Sequence, residues 1–243
     1  MEEDVDVTVI VPTYNEKENV EALVTQLLAL PIDVHVLVVD DNSPDGTGEI
    51  ADRLAAEHEG RVGVIHRAGK LGLGTAYIAG FQQAMAQSAD LICSMDADFS
   101  HDPRYVPAMV DKIQAGYDLV IGSRYVRGGG STQTWIRKLF SWGSNTITRL
   151  ALGLRARDTT AGFRCYRRQV LESLDLDHIT SSGYSFLFEM LYAVQRRGWK
   201  IGEVPIVFQD RQLGDSKVSQ NEIVGALGTV FRLAVRRLTR RAV

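Results

Sequence analysis

At 243 residues, with 45% apolar, 23% charged and 8% aromatic side chains, the chain has the composition of an ordinary globular protein, which excludes a disordered or fibrous one. The formal net charge is −3, but Arg232, Arg236, Arg237, Arg240 and Arg241 crowd the C-terminus, so charge is segregated; nucleic acid is not an expected partner. Cys93 and Cys165 lack metal-ligand spacing and suit a reducing compartment. The opening residues are acidic where a signal peptide would be basic, and no stretch approaches about 18 uninterrupted apolar residues. Any membrane contact is therefore expected to be peripheral.

Short β-branched or aliphatic runs at 7–11, 34–39, 62–65, 91–95 and 119–121 read as buried parallel strands. Helical spacing fills the intervals 16–29, 46–58, 75–87 and 103–115, the last opening on a proline after Asp102. This βαβ alternation predicts right-handed crossovers and an open α/β sheet whose ligands bind beyond the strands' carboxyl ends. After the Gly128-Gly129-Gly130 hinge the rhythm changes to a helix over 135–152, a region at 158–168, a helix near 184–197 and a strand over 201–208. A polar loop at 210–219 follows, of a length that is often functional. We expect a single domain over 1–243, with a nucleotide-sugar half at 1–127, an acceptor-side half at 128–218 and a C-terminal helix within 219–243.

Chemistry concentrates after the strands. Asp96 and Asp98, with Ala97 between them, follow the fourth strand, where side-chain alternation puts both carboxylates on one side of the chain. Two such acids can hold a hard divalent cation, which stabilises charge building up on a diphosphate leaving group. Asp40 and Asp41 end the second strand, ahead of the turn residues Asn42 to Gly46, where carboxylates can accept from a ribose or base. The loop 70–74 offers backbone amides and Lys70 to a phosphate, although in isolation such a short glycine loop more often is a simple βα turn. Arg124 follows the fifth strand, and Arg137 and Ser141 lie one helical turn apart, so guanidinium groups and a hydroxyl are available for a phosphate; surface ion pairing is the alternative role for the arginines.

Together these motifs resemble the dolichyl- or polyprenyl-phosphate mannose synthases within the family 2 glycosyltransferases of GT-A fold. The resemblance rests on residues 11–16, 39–47, 69–77 and 95–98, and in the second half on 122–125, 158–164, 202–206, Asp210-Arg211 and 214–217. It implies an open, mostly parallel, Rossmann-like sheet flanked by helices, a GDP-mannose donor, a polyisoprenyl phosphate acceptor and Mg²⁺ or Mn²⁺. Pro12, Tyr14, Glu16, Asp40, Asp41, Lys70 and the Asp96-Ala97-Asp98 segment would line the donor site, with Asp96 and Asp98 on the metal. Arg124, Arg137, Ser141, Arg211 and Lys217 would meet phosphates, and Asp96, Asp98, Arg124 and Arg137 would carry catalysis. The acceptor is already an anion, so an inverting in-line displacement needs alignment and charge stabilisation rather than a strong base.

Some relatives carry a metal-binding Gln two residues after the second aspartate; here Ser100 and His101 stand in its place, and either could meet the metal or a water on it. Some relatives have transmembrane tails and others use integral-membrane partner proteins, so such a partner is also in view. This chain has an amphipathic segment over 222–241, with Ile223, Leu227, Val230, Phe231, Ala234 and Leu238 on one face and Arg232, Arg236 and Arg240 opposite. It suits a helix docked on the core or one touching anionic lipid at the cytoplasmic face of a membrane. Glucosyl transfer to the same lipid phosphate and a non-catalytic nucleotide-sugar-binding subunit are the competing functions.

Overall fold

The computed structural model describes residues 5–179, 181, 183, 185–210 and 220–239, so Arg211, Lys217 and Arg240, singled out above, lie outside the described residues. Five apolar runs form strands β1 (Val7–Thr13), β2 (Val34–Asp40), β3 (Val62–His66), β4 (Leu91–Ser94) and β5 (Leu119–Ser123). Between them run helices α1 (Val20–Leu28), α2 (Thr47–Glu57), α3 (Leu73–Ala86) and α4 (Val106–Gln114). The first helix starts four residues later than the spacing predicts because Asn15 takes a left-handed φ of 57° and Glu16 accepts from the amides of Asn19 and Val20 in a preceding turn.

The second half adds β6 (Gly130–Ser131), α5 (Trp135–Leu152), β7 (Arg164–Arg167), α6 (Arg168–Glu172), α7 (Ser185–Arg196), β8 (Ile201–Pro205), β9 (Val207–Phe208) and α8 (Gln220–Leu238). The main sheet has seven strands in the order β3-β2-β1-β4-β7-β5-β8. All neighbours are parallel except β7, which runs antiparallel to both β4 and β5. The expected mostly parallel sheet is thus present, but a strand within 158–168 is a structural finding. Arg-Cys-Tyr-Arg does not read as a central strand, yet Cys165 and Tyr166 are buried on opposite faces of the sheet and Arg164 is fully buried as well. The single strand expected over 201–208 is two: after Pro205 the chain leaves the main sheet, and β9 pairs with β6.

Side-chain alternation divides the core. Val7, Val9 and Val11 face one layer with Leu23, Leu27, Met109 and Ile113, whereas Ile10 faces the other with Tyr77, Phe81, Tyr166 and Phe186. Gly80 lets α3 sit directly on β1, since a Cβ there would stand 2.5 Å from Ile10 Cγ2. Strand order reverses at β1, whose neighbours are β2 and β4, and the crevice at their carboxyl ends is where such sheets bind ligands.

Candidate active site

Three loops meet at that crevice, and each turns through a non-glycine residue in the left-handed region: Asn15 after β1, Asn42 after β2 and Phe99 after β4, with φ of 57°, 57° and 58°. Asparagine tolerates this backbone; a bulky phenylalanine does so at some cost, and such strain collects where a loop must present particular groups.

The donor-side candidates Asp40, Tyr14, Glu16 and Lys70 gather here. Asp40 accepts from Thr13 Oγ1 at 2.9 Å, Ser43 Oγ at 2.6 Å and the Ser43 amide at 3.0 Å, which locks the β1 and β2 ends together. Asp41 pairs with Arg67 at 2.6 Å, both side chains nearly buried, and Arg67 also donates to Thr75 Oγ1 at 2.6 Å. Burial raises the Asp41 carboxyl above its ordinary range, although the Arg67 charge opposes the shift. Lys70 lies over the Tyr14 ring at 4.7 Å, bringing the glycine loop to the end of β1. Glu16 is buried, accepts from Asn19 Nδ2 at 2.9 Å and donates its amide to the Thr47 hydroxyl oxygen at 3.0 Å. Pro12 is half-buried within β1, and Ala97 is packed in the apolar core.

Asp96 is held from two sides. Tyr77, fully buried on α3, donates its hydroxyl to Asp96 Oδ1 at 3.0 Å, and the Asp96 amide donates to His101 Nδ1 at 3.1 Å. Burial, then the Asp96 charge, pushes the Tyr77 hydroxyl well above its ordinary pKa, so it stays a donor. Burial lowers His101, which fits a neutral ring whose Nδ1 accepts a hydrogen bond. His101 thereby uses Nδ1 to hold the Asp96 backbone, and its ring stacks on Phe163 at 5.2 Å and meets Phe208 edge-on at 5.6 Å. Asp98 Oδ1 accepts the Ser100 amide at 3.0 Å, and the Ser100 hydroxyl is buried without a hydrogen-bond partner.

Whether these groups suit a divalent cation turns on donor type. No cluster of three or more His, Cys, Asp or Glu stands ready among the described residues. Two carboxylates with a partnerless buried hydroxyl nearby do fit Mg²⁺ or Mn²⁺, which bind by one or two carboxylates with substrate phosphates completing the shell.

Across the Phe208 ring lies the cluster expected to face the acceptor, with the Arg124 guanidinium 5.4 Å above the ring. Arg124 grips Asp158 through its amide at 3.0 Å, Nε at 2.8 Å and Nη2 at 2.7 Å, and also donates to Thr160 Oγ1 at 2.8 Å. Burial alone would raise Asp158, but the hydrogen bonds and charge of Arg124 outweigh it and hold the carboxyl below its ordinary range. Ser141 on α5 bonds the Tyr125 hydroxyl at 2.8 Å and takes a long 3.5 Å contact from Arg124 Nη1. Arg124, Tyr125, Ser131, Lys138, Ser141 and Trp142 are among the residues lining an open 360 Å³ pocket. Arg137, one turn from Ser141, pairs with Asp210 at 3.0 Å outside that lining.

Several residues that build this site had no role assigned from the sequence, although Arg164 and Glu203 lie within matched motifs. Arg164, completely buried, donates to the carbonyls of Ala161 at 2.9 Å, Leu187 at 2.6 Å and Thr159 at 3.2 Å, tying the 158–163 loop to α7. Asn145 on α5 accepts from the Thr159 amide and hydroxyl, both at 2.8 Å, and Glu203 accepts from the Arg157 and Asp158 amides. Tyr77 stood within a matched motif without a role. Only the proximity of these residues in the fold reveals what they do.

A switch-point crevice with an Asp-x-Asp turn, facing a pocket lined by Arg124 and Lys138 across the Phe208 ring, suits a sugar-transferring enzyme. The chain belongs to glycosyl transferase family 2, whose family pattern matches residues 8–175. It is a glycosyltransferase of GT-A fold. It is 44% identical over 94% of its length to the polyprenol monophosphomannose synthase of Mycolicibacterium smegmatis, covering 86% of that protein. It is also 45% identical over 93% of its length to the undecaprenyl-phosphate mannosyltransferase of Micrococcus luteus, covering 93% of it. Among solved structures it resembles glucosyl-3-phosphoglycerate synthase from Mycobacterium tuberculosis with Mn²⁺, UDP and glucosyl-3-phosphoglycerate, at a TM-score of 0.66 and 19% identity, covering 95% of this chain and 80% of that one. The same enzyme with Mg²⁺ and UDP gives a TM-score of 0.65 at 20% identity, with the same coverage. These two likenesses bear on the fold alone.

Proposed function

We propose that this enzyme transfers mannose from GDP-mannose to a polyisoprenyl phosphate with inversion, giving the lipid-linked mannosyl phosphate and GDP. The observation that carries the reading is 44–45% identity across 93–94% of the chain to two proteins named for mannosyl transfer to such lipids. The 360 Å³ pocket adds support, because Arg124, Lys138 and the Ser141 and Tyr125 hydroxyls suit a phosphate monoester. Residues 1–127 serve the donor and 128–218 the acceptor. The acceptor being a membrane lipid, the enzyme works peripherally at the cytoplasmic face, with or without an integral-membrane partner.

Tyr14, Glu16, Asp40, Asp41 and Lys70, with Pro12 and the Ala97 backbone, hold the nucleotide; Asp96 and Asp98 would hold Mg²⁺ or Mn²⁺. That cation supplies charge stabilisation to the departing diphosphate. Tyr77 and His101 fix Asp96 by its carboxylate and its amide, so the donor's leaving end has one position. Arg124, held flat by Asp158 and Thr160, faces the acceptor pocket with Ser141 and aligns the phosphate oxygen for attack at the anomeric carbon. Arg137 and, as the family resemblance implies, Arg211 and Lys217 would add further cations for the phosphates.

The test is transfer of labelled mannose from GDP-mannose to a short polyprenyl phosphate with Mg²⁺ or Mn²⁺. Lipid product that disappears with EDTA and with Asp98→Ala is expected. Product from UDP-glucose in place of GDP-mannose would overturn the donor assignment, and GDP-mannose binding without turnover would favour a binding subunit.

A further inference from the structure

Once the chain leaves the main sheet after Pro205, the segment from Ile206 to Asp210 is tied along both of its edges. One edge faces β6: the Ile206 carbonyl accepts from the Gly130 amide and the Phe208 carbonyl from the Thr132 amide, both at 2.9 Å. The other edge faces the segment after β4: the Val207 amide donates to the Tyr105 hydroxyl and the Gln209 amide to the Ser100 carbonyl, both at 3.1 Å. An extended backbone offers its polar groups alternately to its two sides, so this short strand can serve two neighbours at once. Asp210 extends the first edge, with its amide on Thr132 Oγ1 at 2.7 Å and its carboxylate on Arg137 at 3.0 Å.

Each neighbour carries one half of the candidate site. On the first side, Gly130 and Ser131 of β6 line the 360 Å³ pocket. That wall sits on the backbone of Arg124, since a Cβ on Gly129 would stand 2.5 Å from the Ser123 carbonyl oxygen and 3.0 Å from that of Arg124. On the second side, the Ser100 amide holds Asp98 Oδ1 at 3.0 Å and His101 Nδ1 holds the Asp96 amide at 3.1 Å. Phe99 in this turn has a φ of 58°, and such backbone persists where its surroundings over-determine it. The bond from Gln209 to the next residue is one such constraint.

The Phe208 side chain bridges the same two halves. Its ring meets His101 at 5.6 Å with the planes 74° apart, and the Arg124 guanidinium lies 5.4 Å from its centroid. The Tyr125 ring is 5.2 Å from that guanidinium. Asp158 and Thr160 fix Arg124 through its N–H groups, which lie in the guanidinium plane, and an aromatic face attracts the cation as a whole. We infer that Phe208 is a positioning residue for the transfer, its ring setting where the Arg124 guanidinium stands relative to Asp96. It acts through His101 and Arg124, and so sets the distance and angle between a phosphate in the pocket and the leaving end of the donor. The inference rests on the reaction proposed above, in which that pocket holds the attacking phosphate. An aliphatic side chain of similar bulk fills the space without attracting the cation, so Phe208→Leu removes the ring interaction and Phe208→Tyr keeps it.

The full chain and both variants are compared in three measurements. The first is transfer of labelled mannose to a short polyprenyl phosphate, and the second is calorimetric binding of Mn²⁺–GDP and of that phosphate. The third is phosphorus NMR of the complex with Mn²⁺, GDP and the short polyprenyl phosphate, where relaxation of the acceptor phosphorus by Mn²⁺ falls steeply with distance. Misplacing a reacting group by about 1 Å costs about a hundredfold in rate, so Phe208→Leu should lower kcat about tenfold or more. Its relaxation of the acceptor phosphorus should weaken, while both affinities stay within about threefold and circular dichroism is unchanged. Phe208→Tyr should match the wild type throughout. Wild-type kcat and relaxation in Phe208→Leu overturn the proposal, as do affinities that fall in parallel with kcat, which is the mark of a merely structural role. Absence of relaxation in the wild type also overturns it, because the two sites then do not face each other. Relaxation that depends on the Phe208 ring without any mannose transfer would instead count against the proposed reaction and leave the positioning role standing.

Discussion

Replacing Asp158 by Asn tests whether the proposed acceptor pocket depends on a buried charge pair. The Asp158 side chain is inaccessible, the Arg124 side chain is 11% exposed, and the carboxylate accepts three hydrogen bonds from Arg124. An amide keeps the shape but turns one acceptor into a donor facing Nε or Nη2 and leaves the guanidinium without its counter-charge. Breaking a buried pair in this way costs about 3–5 kcal/mol. The half-exposed Arg137–Asp210 pair should cost at most about 1 kcal/mol when Asp210 is changed to Asn. Urea unfolding of both variants at pH 7 measures the contrast. A carboxyl held below its unfolded value of 3.8 binds fewer protons in the folded state. Its stabilisation is therefore complete above that pH and is lost as pH falls through the folded value. Asp158→Asn should accordingly show its full deficit at pH 7 and a smaller one at about pH 3. A loss below about 1 kcal/mol at pH 7, or a deficit that grows on acidification, would refute the assignment of Asp158 as the ion that fixes Arg124.

Tyr77→Phe removes the hydroxyl that holds Asp96 Oδ1; it should cost about 1 kcal/mol in stability and weaken Mn²⁺–GDP binding by calorimetry about tenfold, with circular dichroism unchanged. Arg164→Lys replaces a planar donor fan serving three backbone carbonyls with one ammonium; thermal melting should fall by about 10 °C. Gly80→Ala drives a methyl into Ile10, and a loss of about 1–3 kcal/mol is expected by urea unfolding, against a gain of about 0.5–1 kcal/mol for Gly143→Ala, inside α5, where the added carbon meets nothing.

Much of the donor side was legible because it obeys local rules. Apolar runs of strand length, helical spacing between them and acids at strand ends depend on neighbours in sequence, so β1 to β5 and the loops carrying Tyr14, Asp40, Lys70 and Asp96 were placed from the chain alone. The acceptor side was only partly so. Arg124 and Ser141 were singled out from the sequence and line one pocket, but Arg124's partner Asp158 lies 34 residues away, and a guanidinium–carboxylate pair at that separation leaves no periodic trace. β7 escaped because an arginine in a central strand contradicts burial preferences until its carbonyl partners on α7 and the 158–163 loop are in place. His101 was open as a metal contact from sequence, and only the fold gives its Nδ1 the Asp96 amide to accept.

The C-terminal helix shows the division most clearly. Its amphipathic period was fixed by sequence, since the recurrence of Leu227, Phe231 and Leu238 is a property of 3.6 residues per turn. Which face turns inward was not, because a hydrophobic stripe buries itself only where the rest of the protein offers an apolar counterpart. Tertiary packing instead offers Arg232 a buried carboxylate at Glu189 and leaves Phe231 73% exposed. Periodicity is therefore a statement about the chain, and orientation is a statement about the charges and surfaces that distant segments bring to meet it.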